Sequence, residues 1–147
     1  SFEDPFIKDS KFGTVGSVAI DIYGNISAGT STGGTTNKIW GRIGDVPIIG
    51  AGNYANNECC GISATGWGEH FIRNVVAYDI AAQMIYKNEN IEEASKKSLD
   101  KVKATGGDGG VIGIDKNGNI AMEFNTAGMY RAHIDNAGNI TIKIYKA

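Results

Sequence analysis

A chain of 147 residues, 41% apolar and 20% charged, is sized and composed for one soluble globular domain. Its net charge of −2, with the signs interspersed, points away from a nucleic-acid partner, and no apolar run approaches the ~20 residues that span a bilayer. The only cysteines, Cys59 and Cys60, are adjacent and the two histidines lie far apart, so neither a disulfide framework nor a metal centre is expected.

Ser1 to Phe12 is polar and aperiodic and reads as a linker; no methionine opens the chain, so it is expected to begin inside a longer gene product, with any targeting signal outside it. Phe12-Gly13-Thr14-Val15-Gly16 follows, a small residue before a threonine that opens an alternating strand. If the Gly13–Thr14 bond were cut, Thr14 would carry a nucleophilic hydroxyl and a free α-amine, the nucleophile and general base of an amidohydrolase in one residue. Gly-Thr before a strand is also a common way into a sheet, so the pair decides nothing alone.

Three segments share one pattern: Asp21 to Ile26, Asp115 to Ile120 and Asp135 to Ile140, each with Gly-Asn before the isoleucine. Aspartate at the turn start and glycine at the position needing φ > 0 predict hairpin tips, and Asx-type turns explain these aspartates better than metal ligation. Asn25 to Thr30 is the expected return strand of the first hairpin. Ile48 to Asn53 and Glu58 to Ala64 read as a strand pair joined by Tyr54-Ala-Asn-Asn57, with Cys59 and Cys60 as small core residues.

From Glu69 to Lys87 the period becomes helical, with Phe71, Val75, Tyr78, Ala82 and Ile85 on one stripe, widened by Ile72 and Val76. Asn90-Ile-Glu-Glu93 reads as a capping-box start for a second helix to about Lys103, ended by the Thr105–Gly110 glycine loop. Two hairpin-linked strand pairs then finish at Tyr145. The expected class is α+β, a largely antiparallel sheet with two helices on one face. Val111 to Ile114 and Ile48 to Gly52 are apolar on both sides, so the other face should meet a second sheet from elsewhere in the gene product or from a partner.

Three polar clusters fall at strand ends. Thr30-Ser-Thr32-Gly-Gly34-Thr-Thr-Asn-Lys38 sets hydroxyls beside paired glycines. Gly41-Arg42-Ile-Gly44-Asp45 places a guanidinium and a carboxylate three residues apart; they either pair with each other or grip the carboxylate and ammonium of an amino acid. Thr65-Gly66-Trp-Gly68-Glu69 joins a strand to a helix whose first N–H groups favour an anion or an acyl-transfer oxyanion. Glu69 has a plain role there, complementing the helix dipole.

Gly13-Thr14-Val15-Gly16, Thr30-Ser-Thr32-Gly-Gly34, Gly41-Arg42-x-Gly44-Asp45, Gly50-Ala-Gly52 and Thr65-Gly66-x-Gly68-Glu69 together resemble the β subunit of plant-type L-asparaginase/isoaspartyl aminopeptidases, a branch of the N-terminal-nucleophile hydrolases. The likeness runs from Gly13 to the end and includes Phe124-Asn-Thr126-Ala-Gly-Met-Tyr-Arg131, which favours this activity over glycosylasparaginase, the nearest alternative.

The resemblance implies a precursor that cuts itself between Gly13 and Thr14. Residues 1–13 would be the tail of the α-subunit region and 14–147 the β-subunit catalytic region, one half of a four-layer αββα sandwich. Thr14 would attack the side-chain amide of asparagine or the β-linked bond of an isoaspartyl dipeptide, with Thr32 tuning it. Arg42 would clamp the substrate α-carboxylate and Asp45 its α-amine, with Gly68 beside them; Thr65 Oγ and the Gly66 N–H would form the oxyanion hole. The implied partners are the α subunit of the same precursor, in an (αβ)2 heterotetramer, and a small-molecule substrate. No cofactor is implied, and the compartment expected is the cytoplasm, the periplasm being the alternative. With residues preceding Thr14, its nitrogen is an amide and no base, so an uncleaved precursor would be inactive. From other classes, an inactive precursor and a module binding an anion at the Thr65–Glu69 helix start stay open.

Overall fold

The computed structural model describes residues 13–146; the expected linker, residues 1–12, lies outside the described residues. In chain order, β1 (Thr14–Ile20) and β2 (Ile26–Thr32) form a hairpin, and β3 (Asn53–Ala55) and β4 (Cys60–Gly66) form a second pair. Helices α1 (Gly68–Asn74), α2 (Val76–Lys87) and α3 (Ile91–Ala104) follow, then the hairpins β5 (Gly109–Asp115) to β6 (Ile120–Phe124) and β7 (Gly128–Ile134) to β8 (Ile140–Tyr145). All three predicted tips are Asx turns. Asp21 Oδ1 accepts the N–H groups of Tyr23 and Asn25 at 2.8 Å each, and Asp115 and Asp135 repeat the arrangement.

The central sheet runs β3-β4-β5-β6, antiparallel throughout. One face is packed by the helices. Cys60, Ile62, Ala64, Val111 and Ala121 meet Phe71, Val76, Ala77, Ile80, Ala81, Ile91, Ala94, Leu99 and Val102 in one buried cluster. Each large apolar side chain removed from water there contributes roughly 1.5–3 kcal/mol. Cys59 belongs to the same cluster, as expected of a small core residue, although it sits in the turn before β4. Burial pushes both thiols up, which keeps them protonated and inert.

The opposite face of the central sheet is covered by the chain's own β1–β2 hairpin, packed on β4 and β5. That layer was expected from outside this segment. Small residues permit the close approach: a Cβ on Gly61 would stand 2.7 Å from Ile26 Cγ2, and one on Gly16 would collide with the Ser63 hydroxyl. The described residues therefore form three layers, hairpin on sheet on helices.

Two further expectations are corrected together. Residues 48–52 do not form a strand; they are a chain of turns, with Ile48 N–H on Asp45 O at 2.9 Å and Gly52 N–H on Asp45 O at 3.2 Å. The expected helix Glu69–Lys87 is broken at Val75, whose φ of 48° is left-handed. The turn segment causes the break. Gly50 and Ala51 carbonyls accept the N–H groups of Tyr78 at 2.8 Å and Ala77 at 3.2 Å, in place of the previous helical turn. The break also rotates the buried stripe. Val76, Ala77, Ile80 and Ala81 face inward, while Val75, Tyr78 and Ile85, expected in the core, are partly exposed.

The strand after the turn starts later than expected, at Cys60, because Asn56 to Cys59 make the turn and Tyr54 still pairs with Ile62. Asn90 caps α3 as expected, its Oδ1 accepting the Glu93 N–H at 2.9 Å. Gly109 and Gly110, expected in the loop after α3, already pair with Gly66 and Thr65 in the ladder.

Candidate active site

The first hairpin turns about Tyr23, so Thr14 at the start of β1 and Thr32 at the end of β2 are cross-strand partners. Thr14 Oγ donates to Thr32 Oγ at 3.2 Å, and Thr32 Oγ also accepts the Gly34 N–H at 3.0 Å. The Thr14 hydroxyl is thus aimed by its neighbour, while Thr32 is fixed by the glycine turn after β2. Gly13 lies ahead of them with open space at its α-carbon.

Behind this pair, Thr30 Oγ bonds Ser63 Oγ of β4 at 2.6 Å and donates to the Gly52 carbonyl at 3.0 Å. The Gly52 N–H in turn donates to the Asp45 carbonyl at 3.2 Å. One run of short bonds therefore joins β2, β4 and the turns that carry Asp45.

A cavity of about 330 Å³ opens beside the hydroxyl pair, lined among others by Thr14, Thr32, Lys38, Arg42, Asp45 and Gly66. That is the low end for small-ligand clefts. Asp45 is only 5% exposed, and its Oδ2 has no hydrogen-bond partner among the described residues. Burial pushes its carboxyl above the ordinary range, against the pull of its own backbone N–H and of Arg42. Such a carboxylate wants a cation or a donor.

Arg42 makes a two-pronged bond to Glu69, Nε to Oε1 at 2.9 Å and Nη2 to Oε2 at 3.0 Å. Of the two readings of the Arg42–Asp45 pair, mutual ion pairing gives way to this contact across 27 residues. A bond from its own N–H, and then the guanidinium, hold the Glu69 carboxyl below its ordinary range despite partial burial. Gly68 lies beneath both groups. A Cβ there would stand 2.8 Å from Asp45 Oδ1 and 3.2 Å from Arg42 Nη2, so only glycine lets α1 start this close.

Thr65 and Gly66 end β4. Gly66 lines the first cavity, while Thr65 lines a second one of about 310 Å³ that shares Thr14 and Gly66 with it. Gly66 has φ 148°, and a Cβ on it would collide with the Asp108 carbonyl. The expected site residues therefore gather around two cavities: Thr32, Arg42 and Asp45 line the first, Thr65 the second, and Thr14 and Gly66 both.

Sequence reasoning missed Glu69 as the partner of Arg42, Lys38 in the first cavity, and the second cavity altogether. The unassigned Phe124–Arg131 motif was the available signal for the last. As an anion site the start of α1 is poor, since the helix has seven residues and its first turn already carries the Glu69 carboxylate. Among the described residues no cluster of His, Cys, Asp or Glu could hold a metal ion, and no helix is long and apolar enough to cross a membrane.

Comparison with known proteins bears on the same residues. Positions 2–144 match the model of the asparaginase family. An isoaspartyl peptidase of Escherichia coli is 54% identical over 87% of this chain and 40% of its own length, and one of Salmonella typhimurium 52% over 87% and 41%. An isoaspartyl peptidase/L-asparaginase of Mus musculus is 41% identical over 84% of this chain and 38% of its own. The chain spans about two fifths of the length of these relatives. A family match across nearly every residue, with high identity to relatives that are peptidases of one kind, leaves a single assignment: the chain belongs to the asparaginase family.

Proposed function

We propose that this chain is the catalytic β-subunit region, residues 14–147, of an amidohydrolase that cleaves L-asparagine and β-aspartyl dipeptides with Thr14 as an N-terminal nucleophile. The observation that carries the reading is the Thr14–Thr32 hydroxyl pair at 3.2 Å over a cavity that also holds a guanidinium and a buried carboxylate with one oxygen left without a hydrogen-bond partner among the described residues. A nucleophile beside one cationic and one anionic anchor matches an α-amino acid whose side-chain carbonyl is attacked.

The first step makes the enzyme. Thr14 Oγ attacks the Gly13 carbonyl carbon, the C–N bond to Thr14 breaks, and an ester to Oγ and a free amine form. Water then hydrolyses the ester, leaving the Gly13 carboxylate and the Thr14 hydroxyl. Gly13 has no side chain to obstruct that approach. The amine released has an ordinary pKa of about 7.7–8.0, suited to a general base at ambient pH.

In turnover the amine takes the Thr14 hydroxyl proton as Oγ attacks the substrate carbonyl. Thr65 Oγ and the Gly66 N–H receive the developing oxyanion; loss of one such donor costs about 10²–10³ in kcat. The ammonium returns its proton to the leaving nitrogen, which departs as ammonia or as the amine of an amino acid. Water, deprotonated by the same amine, resolves the ester and releases aspartate. Arg42 directs its free N–H groups to the α-carboxylate while Glu69 holds the other edge, and Asp45 takes the α-ammonium with Gly68 close behind. Thr32 keeps the Thr14 hydroxyl aimed.

Residues 1–13 form the tail of the α region of the same precursor. The α and β parts stay associated as a four-layer αββα sandwich and pair into an (αβ)2 heterotetramer. The three layers of the described residues supply the sheet and hairpin on which that sandwich would be completed.

Intact mass and N-terminal sequencing of the full-length protein after incubation test the proposal. A new terminus beginning Thr14-Val15-Gly16, with activity on asparagine or β-aspartyl dipeptides appearing alongside, is the expected result. A folded polypeptide that stays whole and inactive overturns it. Arg42→Ala should still process itself but lose substrate affinity.

A further inference from the structure

The three Asx-turn tips share one backbone, and the second carries a side chain that the other two lack. In each, the glycine N–H donates to the carbonyl of the turn aspartate: Gly24 to Asp21 at 3.1 Å, Gly118 to Asp115 and Gly138 to Asp135 at 3.0 Å. Each of these glycines has a φ of 83° or 84°. The residue before the glycine is Tyr23 in the first tip, Ala137 in the third and Asn117 in the second. Asn117-Gly118 is the one Asn-Gly step in the sequence. We propose that Asn117 is a site of spontaneous covalent modification, passing through a cyclic imide with Gly118 to isoaspartate and aspartate. The proposal is independent of the function proposed above.

The step needs only water and a base. Hydroxide takes the Gly118 amide proton, and the nitrogen attacks Asn117 Cγ. The bond from Cγ to Nδ2 breaks, ammonia leaves, and a five-membered imide closes. Water then opens the ring at either carbonyl. Opening at Cγ gives aspartate; opening at the backbone carbonyl leaves the chain running through Cγ, which is isoaspartate. The sum is one water consumed and one ammonia released.

Several observations single out this asparagine. Asn117 and Gly118 are both exposed, and the Asn117 carboxamide has no hydrogen-bond partner among the described residues. Gly118 has no side chain to crowd its nitrogen, and a Cβ there would meet nothing within 4 Å. The Gly118–Asp115 bond must open first, and a single turn bond at an exposed tip is among the cheapest to open. The other tip asparagines differ on each count. Asn25, Asn119 and Asn139 donate their side-chain N–H groups to the turn aspartates at 2.7–2.9 Å, and a β-branched isoleucine follows each. The related Asp108-Gly109 step is closed as well, since Gly109 is buried and its N–H is held by Asn125 Oδ1 at 2.7 Å. Conversion has a structural consequence. Isoaspartate adds a backbone atom between Asp115 and Asn119, and either product sets a new carboxylate at a cavity already lined by Glu58, Glu89 and Asp115.

The test incubates the full-length folded protein at mildly alkaline pH in water labelled with oxygen-18. Peptide mapping with fragmentation should show the Asn117 amide replaced by a carboxyl group carrying one label, in two chromatographic forms, isoaspartyl and aspartyl. Asn25, Asn119, Asn136 and Asn139 should keep their amides over the same interval. The same chain unfolded in guanidinium chloride gives the unrestrained rate. A folded protein that keeps the Asn117 amide while the unfolded chain loses it overturns the proposal, because the Asp115 turn then locks the step. An amide that survives in both states overturns it too. Asn117→Ala, which gives this tip the residue of the third, should abolish the change. Asn117→Gln, which can close only a six-membered ring, should slow it sharply and serves if the alanine variant does not fold. Labelled carboxylate still appearing at the tip in either variant at the original rate overturns the assignment to Asn117.

Discussion

Strand β4 serves two different layers with alternate residues. Cys60, Ile62 and Ala64 face the helices, and all are fully or almost fully buried. Gly61, Ser63 and Thr65 face the hairpin, where space, a hydroxyl relay and a cavity wall take the place of apolar bulk. The period of two that makes a strand thus separates the packed core from the cavity wall across the thickness of one backbone. Substitution on the helix face should move the unfolding transition, and substitution on the hairpin face should move catalysis first.

The largest effect expected belongs to the hairpin layer and leaves stability aside. On the proposed function, Thr14→Ala should abolish self-cleavage and lower hydrolysis by about 10⁴-fold or more, the scale for removing a nucleophile. Thermal unfolding should change little, because the Thr14 hydroxyl is partly exposed and makes one bond at 3.2 Å. Gel analysis with a turnover assay checks the first half and a melting curve the second. A variant that melted far lower would show that the hairpin face also carries the fold.

The helix face should show the opposite. Ile62 is fully buried and lies against the backbone at Gly113, where a Cβ would stand 2.7 Å from its Cδ1. Ile62→Ala should cost about 2–5 kcal/mol of stability. Denaturant titration reads this directly, and kcat per folded molecule, measured well below the new midpoint, should fall far less than in Thr14→Ala.

The sequence disclosed these layers unevenly. Asp-x-x-Gly-Asn tips are local signals, and all three hairpins follow from them. Since Thr14 and Thr32 stand equally far from the first tip, their pairing was legible too. Val75 was not: a β-branched residue in a left-handed conformation carries no marker, and the carbonyls that break the helix there come from Gly50 and Ala51. Those residues misled in their own right, because a short apolar run reads as a strand whether or not it pairs. The cavity members Arg42 and Asp45 were legible as a charged pair between glycines. The bond from Arg42 to Glu69 spans 27 residues, which no local spacing rule reaches.

Asp45 joins the two behaviours in a single residue. Burial raises its carboxyl above the ordinary 3.8. A group raised on folding contributes most to stability below its unfolded pKa and loses that contribution as pH climbs through the folded value. At neutral pH the buried carboxylate is therefore a cost, which the proposed function assigns to holding the substrate ammonium. Asp45→Asn should raise the melting temperature at pH 7, with the advantage vanishing below pH 4. It should also reduce kcat/KM by about 10–150-fold, the equivalent of about 1.5–3 kcal/mol for a hydrogen bond to a charged group. Melting curves across pH, paired with kinetics, decide it; a variant less stable at pH 7 would mean the carboxylate is satisfied in the free protein.

The smallest effect expected is at Ser63, midway along the hairpin face. Its hydroxyl lies 2.6 Å from Thr30 Oγ, and Thr30 already donates to the Gly52 carbonyl at 3.0 Å, so the proton between the two hydroxyls comes from Ser63. Ser63→Ala removes that donor but leaves Thr30 bonded to Gly52 and the packing volume nearly intact. The loss should be about 1 kcal/mol, the net worth of one neutral hydrogen bond. Ser63→Val should cost more, about 1–3 kcal/mol, because Gly16 passes directly over this side chain and has no room for a second branch. Urea midpoints for the pair separate the explanations. Alanine costing as much as valine would make the relay, and not the close approach of Gly16, what holds the hairpin on the sheet. An alanine loss equal to that of Ile62→Ala would erase the division between the faces of β4.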